Sequence, residues 1–257
     1  MSRELIHIYG PISIQSFGLI VAIGLSLFLW LVYKHPKRKK LINDEQFSTV
    51  TFVGIVAGIF GGRLFFVAQE YQSMSFVQMI SFWQGGFSIL GTIIFTLCAI
   101  IFYLKIIRVP ILPFLDLIAI YAPLAQSISR IGCFVAGCCY GTPSSLPWAT
   151  CPLQVTSCIQ KLHPTQLYSS LSLFFIFLFM RFIATKVCSK PGQLISLYIA
   201  LAGFERFFIG FWRGDNEFFK NEAFNLISIH QWIGLLLTIV GLIIFFCIPL
   251  FYRQRTR

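Results

Sequence analysis

Charge is what this sequence has least of. Only 11% of its 257 residues are Asp, Glu, Lys or Arg, and acids number 9 against 20 basic residues. A soluble domain carries about 25% charged residues, so a soluble enzyme or solvated adaptor is excluded. No internal repeat or low-complexity tract is present. That removes the sequence mark of transporters built from inverted halves. No C-x-x-C pair occurs either, and the closest thiols, the adjacent Cys138 and Cys139, bridge poorly. A membrane thiol–disulfide enzyme therefore lacks its usual reactive pair. Glu4 and His7 fall in the first ten residues, and no small-residue cleavage site closes the first apolar run. That run is expected to be a retained span.

What is there is hydrophobic. Apolar residues make up 57% of the chain, and the mean hydropathy is +0.80. Seven stretches reach the ~20 residues that a membrane-crossing helix needs. They lie at about 14–33, 48–68, 87–107, 111–129, 167–185, 193–212 and 231–252. The expected fold is all-α: one polytopic domain over 1–257, with an irregular loop region at about 130–166. Arg181 interrupts the end of the fifth span, where an arginine snorkels to the interface.

The formal net charge of +11 does not require nucleic acid, because the basic residues sit in short clusters at span ends. "KHPKRKK" follows span one, Lys105 and Arg108 follow span three, Arg181, Lys186 and Lys190 close span five, and Arg253, Arg255 and Arg257 end the chain. All fall on one side, which the positive-inside rule makes cytoplasmic. The N-terminus and the loops 69–86, 130–166 and 213–230 are then outside; loop 69–86 contains no Lys or Arg.

Charges within spans are costly, at least ~2.5 kcal/mol each unless paired or hydrated. Arg63, Asp116, Arg130, Glu205 and Arg206 are such charges. Arg63, Arg130 and Arg206 are expected at similar depth in the outer half of the membrane. With few acids nearby they point to a buried anion, since guanidinium grips phosphate as a two-pronged fork. The alternative is that each snorkels or pairs with a carboxylate. Gly61 and Gly62 precede Arg63, and Gly132, Gly137 and Gly141 follow Arg130. Irregular backbone at this depth must line a cavity or be buried in protein. Five of the eight cysteines fall between 133 and 158. Cys151 and Cys158 are expected to bridge. Zinc is a further reading, although no pair has two-residue spacing, and so are free thiols near a cavity. His163, Gln166 and Tyr168 concentrate polar groups where the chain enters span five.

Five segments, in order, resemble one family, the prolipoprotein diacylglyceryl transferases. "GGRLFFV" and "WQGGFSILG" resemble its second-span arginine and the glycine-rich entrance of its third span. "SRIGCFVAGCCYGTP" resembles the signature G-R-I-G-N-F-x-N-G-E-x-x-G. "HPTQLY" matches a six-residue motif completely. "ERFFIGFWRGD" resembles the sixth-span arginine region, and "ISIHQWIGL" the helix start S-x-G-Q-x-x-S.

The resemblance implies a bacterial inner-membrane enzyme that moves the diacylglyceryl group of phosphatidylglycerol onto the lipobox cysteine of a prolipoprotein. Membrane lipids are its surroundings, and no metal, cofactor or nucleic acid is implied. Arg130 and Arg206 carry over as headgroup-binding and catalytic arginines. Gly132, Gly137 and Gly141 carry over as signature glycines, and Arg63, His163, Gln166 and Tyr168 lie in matching motifs. His163 is the candidate general base. Several polar partners of the family are replaced: Leu90 stands for a histidine, Cys133 for the signature asparagine, Cys138 for the signature glutamate, Phe17 for a tyrosine and Gly210 for an acid. These departures mark a divergent member or paralog, with a non-catalytic lipid-binding protein as the alternative.

Overall fold

A computed structural model describes residues 4–9, 12–81, 86–151, 160–214 and 227–254. Two short paired strands, β1 (Glu4–Tyr9) and β2 (Ile12–Gln15), lead into the first helix, a small addition to an otherwise helical fold. The helices are α1 (Ser16–Lys34), α2 (Pro36–Leu41), α3 (Asp44–Glu70), α4 (Phe76–Ile80), α5 (Ile89–Ile106) and α6 (Ile111–Val135). After these come α7 (Thr165–Phe179), a π turn at Met180–Ala184, α8 (Thr185–Val187), α9 (Gln193–Ile209) and α10 (Ile229–Gln254). Seven helical stretches among the described residues are long and apolar enough to cross a membrane: 16–34, 44–70, 89–106, 111–135, 165–187, 193–212 and 229–252. They fall on the seven expected spans.

The edges differ for local reasons. Helix α3 starts four residues before its apolar run because Asn43 and Gln46 form a capping box. Asn43 Oδ1 accepts the Gln46 N–H at 2.7 Å, and Gln46 Oε1 accepts the Asn43 N–H at 3.1 Å. The fifth span runs on to Val187 through the π turn that contains Arg181. There the guanidinium hydrogen-bonds the Tyr121 phenol and lies 5.7 Å from the Phe182 ring. Arg181 is thus held by the protein as well as by its place near a span end.

The chain forms two compact units. One comprises 1–5, 14–32 and 115–257; the other comprises 6–13 and 33–114. In the first unit, packing is closest where side chains are smallest. A Cβ on Gly203 would lie 2.6 Å from the Gly234 carbonyl oxygen, and one on Gly241 would lie 2.6 Å from the Ala200 nitrogen. Helices α9 and α10 therefore meet backbone to backbone, as membrane helices do through small residues. Helices α6 and α7 are joined by a reciprocal pair: Ser127 Oγ donates to the Ser170 carbonyl at 2.8 Å, and Ser170 Oγ donates to the Ser127 carbonyl at 2.9 Å. Asp116, buried at the start of α6, accepts the N–H groups of Gly192 and Ile195 at 2.7 and 2.8 Å. A carboxylate there satisfies orphan donors at the N-terminus of α9 and complements the helix dipole.

In the second unit, α3 and α5 pack through Gly58, Gly61 and Gly91; a Cβ on Gly91 would lie 2.4 Å from the Gly61 carbonyl oxygen. Arg38, from the basic run "KHPKRKK", is buried. It pairs with Asp44, donates to the Tyr33 carbonyl at 3.2 Å and stacks on the Tyr33 ring at 4.3 Å. Large apolar side chains, such as Phe60, Phe102, Leu236 and Phe246, face outward. An apolar exterior suits lipid as solvent.

Candidate active site

Arg63 sits on α3 in the second unit and is buried. Its guanidinium donates to the carbonyls of Met79 (3.2 Å), Gly86 (2.9 Å) and Gln78, with the Phe66 ring 5.6 Å away. Arg63 thus ties chain on either side of 82–85 to α3. Leu90, at the start of α5, is exposed.

The remaining candidates belong to the first unit. Helix α6 ends at Val135 and the chain turns sharply: Gly137 and Cys139 have φ of +65° and +61°. The first is natural for glycine. The second costs roughly 1–3 kcal/mol for a side-chain-bearing residue and persists only when neighbours hold it. Those neighbours are the motif residues at the start of α7. Thr165 Oγ1 donates to the Cys139 carbonyl at 2.8 Å, and Gln166 Nε2 donates to the Cys138 carbonyl at 2.7 Å. The "HPTQLY" segment is therefore a clamp on the signature turn. The other end of the Gln166 amide, Oε1, is buried without a hydrogen-bond partner among the described residues. Gln166 also lines a cavity of about 10 Å³ with His163, Phe134, Gly137 and Tyr140, room for about one water.

Gly141 closes the turn. Its N–H donates to the His163 carbonyl at 3.0 Å, and it pairs in a β-bridge with Arg213. His163 Nδ1 lies 3.3 Å from the Tyr168 hydroxyl, which accepts the Trp148 indole N–H at 2.7 Å. The Tyr168 hydroxyl thus links the Trp148 indole and the His163 ring. Gly132 faces α1, where a Cβ would stand 3.2 Å from the Phe17 ring.

Arg130 and Arg206 act on one group. Both their charges, and that of Arg213, reach the buried carboxylate of Glu205, which accepts a hydrogen bond from Ser169. Three guanidinium charges thus converge from the end of α6, the end of α9 and the segment after it. Arg213 is a residue that sequence reasoning passes over, although it lies inside the quoted "ERFFIGFWRGD". It is buried, and it also hydrogen-bonds the Cys139 sulfur. Where the family has an acid, Gly210 leaves room for Gln231: a Cβ there would sit 2.4 Å from Gln231 Cγ. The Gln231 amide donates to the Phe207 carbonyl at 3.4 Å.

The cysteines divide as two groups. Cys151 is disulfide-bonded; its expected partner, Cys158, lies outside the described residues. Cys133, Cys138 and Cys139 carry free thiols whose sulfurs lie within 4.8 Å of one another. Hydrogen bonds from Cys133 and Cys138, helped by Arg213, hold the Cys139 thiol well below its usual range. The same cluster, Cys133 first, pushes Cys138 up.

A helical protein with seven helices long and apolar enough to cross a membrane belongs to the class of multi-pass membrane proteins. The particular family is shown by comparison: the model of the prolipoprotein diacylglyceryl transferases matches residues 3–247, and this chain belongs to that family as a multi-pass membrane protein. It is similar to the phosphatidylglycerol–prolipoprotein diacylglyceryl transferase of Clostridium tetani, with 32% identity over 250 residues, 95% of this chain and 97% of that protein. The proteins of the same name from Finegoldia magna and from the Wolbachia of Brugia malayi are 30% and 28% identical, over 95% and 92% of this chain and 94% and 91% of their own lengths.

Proposed function

We propose that this chain transfers the diacylglyceryl group of phosphatidylglycerol to the lipobox cysteine thiol of a prolipoprotein, in a bacterial inner membrane. The observation that carries the reading is the convergence of Arg130, Arg206 and Arg213 on Glu205. In the reaction a thiolate sulfur attacks the glyceryl carbon, the carbon–oxygen bond to phosphate breaks, and glycerol phosphate departs with an added negative charge. Fixed cations in a water-poor site stabilise that charge without reorganising during the step. Arg130 and Arg206 are assigned to the phosphate and Arg213 joins them. In this reading His163, 3.3 Å from the Tyr168 hydroxyl through Nδ1, is the candidate general base. Gly132, Gly137 and Gly141 shape the backbone around the headgroup, Gln166 offers its orphan oxygen to a headgroup or peptide donor, and Tyr168 orients His163. Arg63 contributes by holding the carbonyls of Gln78, Met79 and Gly86.

One seven-helix domain with its N-terminus outside and C-terminus cytoplasmic fits the clustering of basic residues. Single cysteines introduced in 35–43, in a background free of other reactive thiols, are expected to react with impermeant reagents only from the cytoplasm. Those in 71–80 are expected to react only from outside; labelling of both from one side refutes the orientation. The function itself is tested with phosphatidylglycerol labelled in its acyl chains and a lipobox peptide. Label is expected on the peptide cysteine, with release of glycerol phosphate. Lipid binding without label transfer would make this chain a lipid-binding paralog instead.

A further inference from the structure

The signature turn carries a thiol cluster that the arginine chemistry leaves unexplained. Cys133 is buried on the last turn of α6; Cys138 and Cys139 follow in the turn and are half-buried. All three are free thiols, and their sulfurs lie within 4.8 Å of one another. The left-handed conformations at Gly137 and Cys139 reverse the chain there. Disulfide chemistry reaches this neighbourhood: Cys151 is disulfide-bonded and lines the same small cavity as Gly137. Disulfides persist where the surroundings are oxidising, so the three free thiols meet the conditions that bonded Cys151. Within the trio the geometry selects one pair. Cys138 and Cys139 are adjacent and bridge poorly. Cys138 Sγ donates to the Cys133 carbonyl at 3.6 Å, which turns its hydrogen to the backbone. Cys133 is the first hydrogen-bond partner of the Cys139 sulfur. Gly137 lies between those two in sequence and supplies the backbone freedom that closing an S–S bond of about 2.05 Å requires.

We propose that Cys139 is a reactive thiol that closes a reversible disulfide with Cys133 when it meets a small-molecule disulfide, and that this bridge weakens phosphatidylglycerol binding at the arginine site. The second half rests on the headgroup role given above to Arg130, Arg206 and Arg213. Cys139 is the entry point because it is partly exposed and the Arg213 guanidinium bonds its sulfur, which favours the thiolate that attacks disulfides. The Cys139 thiolate attacks one sulfur of the external disulfide, that S–S bond breaks, and one thiolate leaves. A mixed disulfide remains on Cys139. Cys133 gives its proton to the departed thiolate and attacks the Cys139 sulfur, and the second external thiolate leaves. Two protein thiols are oxidised to one disulfide, and one external disulfide is reduced to two thiols. The consequence passes through Arg213. Its charge acts on both the Cys139 sulfur and the Glu205 carboxylate, while its backbone is held by the bridge to Gly141. A thiolate is an anion; a disulfide is neutral and a weak acceptor. Oxidation therefore shifts the pull on the guanidinium toward Glu205, and a carboxylate that draws an arginine to itself competes with an arriving phosphate. Arg130, three residues before Cys133 on α6, also acts electrostatically on that cysteine, so the thiol pair borders two of the three arginines.

The test uses the full chain in detergent micelles, equilibrated with oxidised or reduced glutathione, alkylated, digested and mapped by mass spectrometry. The expected result is a Cys133–Cys139 bridge in the oxidised sample and free thiols at both positions in the reduced one. In Cys133→Ser the second step is blocked, so a glutathione adduct should accumulate on Cys139. Phosphatidylglycerol binding is then measured in both states. It should weaken roughly tenfold on oxidation, the size of one lost charge-assisted hydrogen bond, and recover on reduction. Binding by Cys133→Ala and Cys139→Ser should not change when the glutathione of the buffer is switched between forms, which separates this pair from the Cys151 disulfide. A bridge mapped between Cys133 and Cys138, Cys139 left unmodified by oxidised glutathione, or equal lipid binding in the bridged and reduced chains would each overturn the proposal. Transfer to a lipobox peptide is scored separately. Transfer that is the same in both states, with no bridge formed, removes the thiol pair and leaves the transferase reading intact. No transfer in either state, with lipid binding that falls on bridging, removes the transferase reading and leaves the thiol pair.

Discussion

Replacing Arg130 with alanine is expected to lower diacylglyceryl transfer by two to three orders of magnitude, about 3 kcal/mol of transition-state stabilisation. The size follows from where the charge acts. Arg130 lies on the last turns of α6, and its field reaches Glu205 together with those of Arg206 and Arg213. An arriving phosphodiester already meets that field, but the phosphate gains a further negative charge only as the carbon–oxygen bond breaks. The loss should therefore fall mainly on kcat. Arg130→Lys keeps a charge and loses the planar fork, so it should sit between alanine and the unsubstituted protein, with a clear deficit. Initial rates with labelled phosphatidylglycerol and a lipobox peptide, beside thermal unfolding of each variant, make the check. Turnover close to that of the unsubstituted chain in a folded alanine variant would reduce Arg130 to an interfacial anchor.

The spans are legible in the sequence because hydropathy alone decides them. Lipid rewards any sufficiently long apolar run, and only caps and the π turn at Met180–Ala184 move the edges. Arg181, near the end of the fifth span, reads as a snorkelling residue because sequence cannot show Tyr121 beside it. Arg130, Arg206 and the signature glycines are legible because charge and glycine are expensive inside a bilayer. Arg213 hides for the opposite reason: just past a span end an arginine costs little, so nothing in composition distinguishes it. Arg63 is conspicuous for the same cost that marks Arg130, yet its donors go to the carbonyls of Met79, Gln78 and Gly86.

Tertiary closeness is the other thing spacing conceals. The three free thiols lie at 133, 138 and 139, and a turn with two left-handed residues, Gly137 and Cys139, brings their sulfurs within 4.8 Å of one another. Thr165 is equally silent in sequence, a helix-start threonine like many others. Its bond to the Cys139 carbonyl, with that of Gln166 to the Cys138 carbonyl, is what holds the strained turn. The complete "HPTQLY" match thus has a physical reason: it is the hydrogen-bonding partner of the signature segment.

Gly141 is the point where that partnership is tightest, and Gly141→Ala is expected to cost about 3 kcal/mol or more. An added Cβ would meet His163 Cβ at 2.5 Å, the Trp212 carbonyl oxygen at 2.6 Å and the His163 carbonyl oxygen at 2.7 Å. Two of the three are backbone atoms, so no rotamer change relieves the clash. The backbone must separate, and the bonds from Gly141 N–H to the His163 carbonyl and from Thr142 N–H to the Trp212 carbonyl go with it. Those bonds fix the segment that carries Arg213 against the one that carries His163. The variant should therefore lower the thermal midpoint by roughly 5–10 °C and reduce transfer sharply even at temperatures where it remains folded. Gly18→Ala is the control, since a Cβ there meets nothing within 4 Å, and it should match the unsubstituted protein in both measurements. An unfolding midpoint in Gly141→Ala equal to that of Gly18→Ala would mean that the two segments are not pinned at this residue, and the site would need another anchor.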